Sequence, residues 1–321
     1  MILSLYRLKI NGCIYDKMII TYCFIGALPE YAVDTVHQTR LFFKGDIYFI
    51  VSDLTSPLIS ILQDTYQVIV VPHAPLIDHE FNQCVEQYIH KFTILNGVKG
   101  RERLFIYAFE RFVVLYHLMC QRNLTNVFFV ELDNLIYDDP LKWEESFCQS
   151  DMAFMFDHYD RCASGICFIK NSAILSEFRT CCMNYIIHTD ITRHFMTEMQ
   201  ALDVFWKENR TRVQIIPTHW PSIYAPPETS ENYHRYNHTI FDSAGLGIYF
   251  GGIDTIHTGG LIMTGLRAPW SAIDYSTYSF KWKEDKEGRL IPYVIEQGQL
   301  IRINNLHIHS KQLQPHLSKE R

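Results

Sequence analysis

Nowhere does this 321-residue chain run roughly 18 apolar residues without interruption, so no membrane-spanning helix is expected. Its start does not read as a signal peptide either. Arg7, Lys9, Asn11 and Asp16 break up residues 1–17, which read as an extension ahead of Met18. Neither a Walker lysine loop nor Gly-x-Gly-x-x-Gly is present, which removes the two commonest phosphate-binding loops. A net charge of −6 provides no basic stripe to displace counterions, so nucleic acid is excluded as an expected partner. The nine cysteines follow no regular framework and show no paired Cys-x-x-Cys spacing for zinc. Several, such as Cys120, Cys148 and Cys167, stand in apolar surroundings as buried thiols do, and the expected setting is reducing and cytoplasmic. Asn123-Leu124-Thr125 and Asn237-His238-Thr239 match the glycosylation acceptor pattern, which is common by chance. Internal repeats and low-complexity linkers are also missing.

What the chain has is a hydrophobic fraction of 48% and aromatics at 14%, ample for a large core. Its most informative run is Val127-Phe128-Phe129-Val130-Glu131-Leu132-Asp133-Asn134-Leu135-Ile136-Tyr137. A continuous apolar stretch of this kind reads as a strand buried on both faces of a parallel sheet. It ends in two acidic residues one apart. Open α/β sheets place ligands at the carboxyl ends of their strands, where a carboxylate can grip a divalent cation and through it a diphosphate. A plain polar exit from the core is the alternative reading.

Strands are predicted at 18–25, 46–51 and 67–71, with helices over about 30–43 and 102–122. Beyond Asp139, strands are expected at 153–156, 166–169 and 213–216, and helices at 175–185 and 196–209. Residues 219–243 form a loop-rich block whose aromatics (Trp220, Tyr224, Tyr233, Tyr236) argue for order. Gln297-Gly298 between 290–295 and 299–303 signals a hairpin. Alternating strands and helices imply an α/β fold with a mostly parallel, twisted central sheet flanked by helices. We read 18–321 as one domain that divides into residues 18–139 and 140–321.

Four stretches together resemble metal-dependent, sugar-nucleotide glycosyltransferases of the GT-A fold with a DxD-like motif. Ala108-Phe109-Glu110-Arg111-Phe112 followed by Glu131-Leu132-Asp133-Asn134 is similar to that group's helix and acidic strand. Ala163-Ser164-Gly165-Ile166-Cys167-Phe168 resembles an acceptor-side strand, and the block from Phe241 to Asp254 a recurring glycine-containing segment. Asn305-Leu306-His307-Ile308-His309-Ser310-Lys311 looks like the C-terminal His-Ser-Lys that completes the metal–diphosphate site. The chain departs from the motif at Glu131, where an Asp often stands. In many members only the last carboxylate touches the metal, which makes Asp133 the principal carry-over.

The resemblance implies a glycosyltransferase moving a sugar from a nucleoside-diphosphate sugar to a glycan or glycoconjugate acceptor, with Mn²⁺ or Mg²⁺ as cofactor. Asp133, His309, His307 and Glu131 would hold the metal. His307 and His309, two apart on an expected strand, would share one face, and His309 is favoured because it adjoins Ser310-Lys311. Lys311 would stabilise the departing phosphate. Gly26, Ala27, Leu28 and Asp53 end the first two strands, where base and ribose would sit. Asp53 is equally a cap for a helix near Pro57. Arg111 either reaches the donor or pairs with Glu110 or Glu131. Ser164, Gly165, Gly251 and Gly252 are acceptor-side candidates, although Gly251-Gly252 can simply mark a turn. Asp242 and Asp254, with Asp157, are candidates for the catalytic base, and Asp242 equally holds acceptor hydroxyls or caps a helix from Ala244. The competing readings are a nucleotidyltransferase, against which Gly26-Ala27-Leu28-Pro29 lacks Arg and Lys, and a catalytically silent carbohydrate-binding protein. Donor, acceptor, stereochemistry and oligomeric state are not legible.

Overall fold

The computed structural model of the chain describes residues 8–10, 13–15, 18–92, 103–192, 196–260 and 272–320. An antiparallel pair, β1 (Leu8–Ile10) and β2 (Cys13–Tyr15), comes first. Then follow β3 (Ile19–Phe24), α1 (Tyr31–Phe42), β4 (Ile47–Val51), α2 (Leu58–Asp64), β5 (Ile69–Pro72), α3 (His79–Gln87) and α4 (Leu104–Arg122). The middle holds β6 (Val127–Val130), β7 (Asn134–Ile136), α5 (Glu144–Phe147), β8 (Met152–His158), β9 (Arg161–Ile169), α6 (Ser172–His188) and α7 (Glu198–Glu208). The last part contains β10 (Val213–Ile216), α8 (Gly245–Gly251), β11 (Ser279–Glu284), β12 (Leu290–Glu296), β13 (Gln299–Arg302) and β14 (Asn305–His307).

Seven of these strands form the central sheet in the order β10-β8-β9-β6-β3-β4-β5. Only β9 runs against its neighbours, so the sheet is mostly parallel as expected, and the carboxyl ends of the other six strands meet along one edge. Burial on both faces explains the near-continuous apolar strands. Alternate residues of β6 face opposite ways: Val127 and Phe129 pack with α4, α6 and α7, while Phe128 and Val130 pack with α1 and α5. α4, at 19 residues, has the length and composition of a membrane crossing, yet 56% of that window is buried in the protein, as for a core helix.

The run from Val127 does not continue as one strand to Tyr137. The central sheet loses it after Val130, Glu131-Leu132-Asp133 turn away, and β7 leaves in a new direction to pair with the tail. A third apolar cluster, containing Leu135, Tyr249, Val294, Leu306 and Ile308, fastens α8, the β11-β12-β13 sheet and β14 to this point. The loop-rich block is ordered around Tyr236, which is fully buried and packs edge-on against Phe147 and Phe241. The hairpin at Gln297-Gly298 is present, both residues having positive φ, and β11 extends it to three strands.

Candidate functional site

β14 lies antiparallel to β7 with His307 opposite Asn134. One step on, the Ile308 N–H donates to the Asp133 carbonyl at 2.9 Å. This pairing carries the tail's side chains to the end of β6. The His307 Nε2 stands 3.2 Å from a Glu131 oxygen and 3.2 Å from an Asp133 oxygen, while Lys311 is paired with the other Asp133 oxygen. One ligand atom each from Glu131, Asp133 and His307 lie within 4.8 Å of one another. Two carboxylates and an imidazole form a donor set that suits a divalent ion such as Mn²⁺, and an Mg²⁺ ion through the oxygens.

The electrostatics are those of a site that wants positive charge. Burial alone would raise the Asp133 carboxyl, but His307 and Lys311 outweigh it and hold the group well below the usual carboxylate range. Burial acts likewise on Glu131, and Arg111 and His307 override it, bringing it down to about 2. His307 is buried too, yet Asp133 and Glu131 raise it to about 10. His309 behaves oppositely. Burial and the neighbouring His307 push it down to about 3.

The two histidines do not share a strand face as expected. β14 ends at His307, and the His309 ring meets it edge-on with centroids 4.4 Å apart. The carboxylates lie against His307, so the geometry favours His307 over His309 as the ligand. Gly165 in β9 explains how the imidazole fits. A Cβ there would come within 2.9 Å of the His307 Nδ1 and 2.6 Å of the Asn134 Nδ2.

A cavity of about 320 Å³ opens in front of these residues, reached by Arg111, Ser164, Glu198 and Asp254 as well. Arg111, on α4, bridges Glu131 at 2.6 Å and Glu198 at 2.8 Å and reaches the Ser164 hydroxyl at 3.0 Å. Its pairing with Glu131, one of the two alternatives, is therefore real, and Glu110 instead meets His73 at 3.0 Å. Glu198 was not anticipated. It follows the Thr197 N-cap of α7 in a first helical turn where acidic residues are ordinary. Burial pushes its carboxyl upward against the pull of Arg111, and its Oε2 is buried without a partner among the described residues.

Several other candidates occupy different roles. Asp242 is fully buried, and its carboxylate accepts from the backbone N–H groups of Ala244 (2.9 Å), Leu246 (2.8 Å), Gly247 (2.7 Å) and His307 (2.8 Å). Both oxygens accept from the start of α8 and from β14, and Asp242 does not line the cavity. Asp254 does reach the cavity, though its carboxylate also accepts from the Ile256 and His257 N–H groups. Asp157 pairs with Arg161 at 2.5 Å. Gly251 closes α8 with its Cα facing Ile308, and Gly252 follows at φ +96°, so this pair marks a packed helix end away from the cavity. Gly26, Ala27 and Leu28 lie past the end of β3, where the Gly26 N–H donates to Ser52 at 2.7 Å, and they do not line the cavity. Asp53 caps the turn at Thr55, accepting from its N–H at 3.0 Å and its hydroxyl at 2.7 Å. A second cavity of about 420 Å³, bordered by Phe24, Arg103, Tyr107 and Arg111, adjoins the end of β3.

No family model matches the chain, and no curated protein matches it in sequence. Solved structures do. Mouse xyloside xylosyltransferase 1 in its apo form aligns over 62% of this chain and 84% of its own, at 11% identity and TM-score 0.44. GlyE, a glycosyltransferase of Streptococcus pneumoniae TIGR4, aligns over 60% of this chain and 43% of its own, at 13% identity and TM-score 0.38. The galactosyltransferase LgtC, solved with donor and acceptor sugar analogues, aligns over 61% and 66%, at 9% identity and TM-score 0.30. At such scores that likeness carries no argument about chemistry, which rests on the site itself.

Proposed function

We propose that this protein is a metal-dependent glycosyltransferase that moves a sugar from a nucleoside-diphosphate sugar to a glycan or glycoconjugate acceptor. The observation that carries this reading is the convergence of Glu131, Asp133 and His307, with Lys311 beside them, at the carboxyl end of a parallel strand. When bound, a divalent ion there supplies Lewis-acid neutralisation of a diphosphate leaving group. Glu131, Asp133 and His307 hold the ion. Lys311 sits where its ammonium can face a phosphate once Asp133 is otherwise engaged, and its charge matters most as that phosphate departs. Arg111, fixed by Glu131, Glu198 and Ser164, presents a rigid guanidinium at the cavity wall. Asp254 is the candidate to receive the acceptor's proton, being the one acidic candidate for that task that also lines the cavity.

Calorimetry with UDP and GDP, with and without Mn²⁺, tests the reading, together with a panel of sugar nucleotides scored for released nucleotide. Metal-dependent nucleotide binding and donor hydrolysis are expected. Nucleotide binding indifferent to Mn²⁺ would refute it, and release of sugar 1-phosphate with a nucleoside monophosphate in place of a nucleoside diphosphate would mean attack at the α-phosphate.

A further inference from the structure

Behind the ion-facing edge of His307 lies a chain of amides whose orientations are fixed one by one. Asn305 is held from both sides by the backbone of Asp242, whose N–H donates to Asn305 Oδ1 at 2.9 Å and whose carbonyl accepts from Asn305 Nδ2 at 3.0 Å. Turning that amide over would set oxygen against oxygen and N–H against N–H, so its assignment is unambiguous. The second hydrogen of Asn305 Nδ2 goes to Asn134 Oδ1 at 2.6 Å. This fixes Asn134 in turn and points its Nδ2 away from Asn305.

That Nδ2 is buried and has no partner among the described residues, and the same is true of His307 Nδ1. Both atoms border one spot, the face of Gly165 where a side chain would begin, at 2.6 and 2.9 Å from the position of a Cβ. The Nδ2 is a donor. His307 Nδ1 must carry a hydrogen as well if Nε2 is to offer its lone pair between Glu131 and Asp133. Two donors therefore converge on a small space in which neither finds a protein acceptor, and a buried donor left unpaired forfeits the hydrogen bond it makes to water when unfolded. A single water oxygen can accept from both.

We propose that Asn134 is a positioning residue, sharing one buried water at Gly165 with the His307 Nδ1–H and so keeping Nε2 turned toward Glu131 and Asp133. This rests on the reading that those three residues hold a divalent ion. The alternative arrangement has Asn134 Nδ2–H donating directly to a bare Nδ1. It would place the hydrogen on Nε2 and close that nitrogen to a cation.

Asn134→Asp separates the two. Its first oxygen still accepts from Asn305, and its second accepts from Nδ1–H, making the imidazole a better ligand. Outer-shell partners of this kind change metal affinity by about 10–100-fold. Calorimetric titration with Mn²⁺ alone is expected to give at least about tenfold tighter binding in N134D than in wild type, whereas looser binding would overturn the proposal. Because an added charge alone attracts cations, ¹⁵N spectra of histidine-labelled protein decide the nitrogen, with His307 assigned by its loss in His307→Gln. A protonated Nδ1 is expected when the protein is saturated with diamagnetic Zn²⁺, which takes an imidazole nitrogen, and also metal-free above about pH 10, where the ring is neutral; a bare Nδ1 in wild type under either condition overturns the inference. If wild type binds no divalent ion, the metal reading falls, and the metal-free spectrum above about pH 10, where one ring proton has gone, still judges the role of Asn134.

Discussion

Substituting Gly165 by Ala tests how tightly the site is built. The new methyl would sit 2.6 Å from Asn134 Nδ2 and 2.9 Å from His307 Nδ1, closer than real Cβ atoms come. Neither neighbour can yield cheaply. Asn134 is tied to Asn305 at 2.6 Å, and the His307 backbone N–H is tied to Asp242 at 2.8 Å while its ring lies between two carboxylates. Overpacking of this kind costs typically about 1–3 kcal/mol, so we expect about 2 kcal/mol less stability in urea unfolding followed by tryptophan fluorescence. If even about 1.4 kcal/mol of that strain is taken up by displacing the imidazole, Mn²⁺ affinity falls about tenfold. Gly259, around which a Cβ meets nothing within 4 Å, supplies the control, and G259A is expected to change neither measurement. Unchanged stability together with unchanged Mn²⁺ binding in G165A would refute the packing described for this site.

Asp133→Ala is expected to abolish transfer while leaving the circular dichroism spectrum intact; undiminished turnover would remove Asp133 from the metal site. Lys311→Met should tighten Mn²⁺ binding measured alone, because the competing ammonium is gone, and should lower kcat more than donor affinity. Asp242→Asn should destabilise by about 1–3 kcal/mol in urea, since an amide nitrogen would face backbone donors, and its activity should recover where the protein is folded. The metal-free protein should also respond to pH. His307 is raised from 6.5 to about 10, so its contribution is full below 6.5 and is lost as pH climbs toward 10. Glu131 is lowered from 4.5 to about 2, so its contribution is present above 4.5 and lost as pH falls toward 2. Urea midpoints should therefore be highest between those limits and decline from pH 7 to 9. Saturating Mn²⁺, which requires the imidazole without its Nε2 proton, should remove the alkaline decline.

Much of the sheet could be read from apolar runs because parallel strands buried on both faces carry a strong local signal, as in 47–51 and 213–216. The break after Val130 could not. Leu135 and Ile136 are as apolar as Phe128 and Phe129, and only pairing with Asn305 to His307 pulls them out of line. For the same reason His307 and His309 could not be ranked in sequence, since register across a non-local pair decides which imidazole meets the carboxylates. Asp242 was visible as a site residue but its roles were not separable in sequence. The choice depended on whether a helix actually began at its shoulder, with glycines at 245 and 247 that leave its oxygens room. Glu198 carried no signal at all, because nothing local distinguishes a helix-start carboxylate from one that meets an arginine contributed 87 residues earlier.

The short ladder between β7 and β14 also has a bearing on biosynthesis. Every strand of the central sheet has been synthesised by Ile216, whereas the imidazole and ammonium arrive only with His307 and Lys311. A nascent or truncated product lacking the tail could thus bury its main core and still be unable to retain an ion. The candidate centre is in this sense completed only by chain made after the whole central sheet, so its formation reports that residues 305–311 have been synthesised and docked on β7.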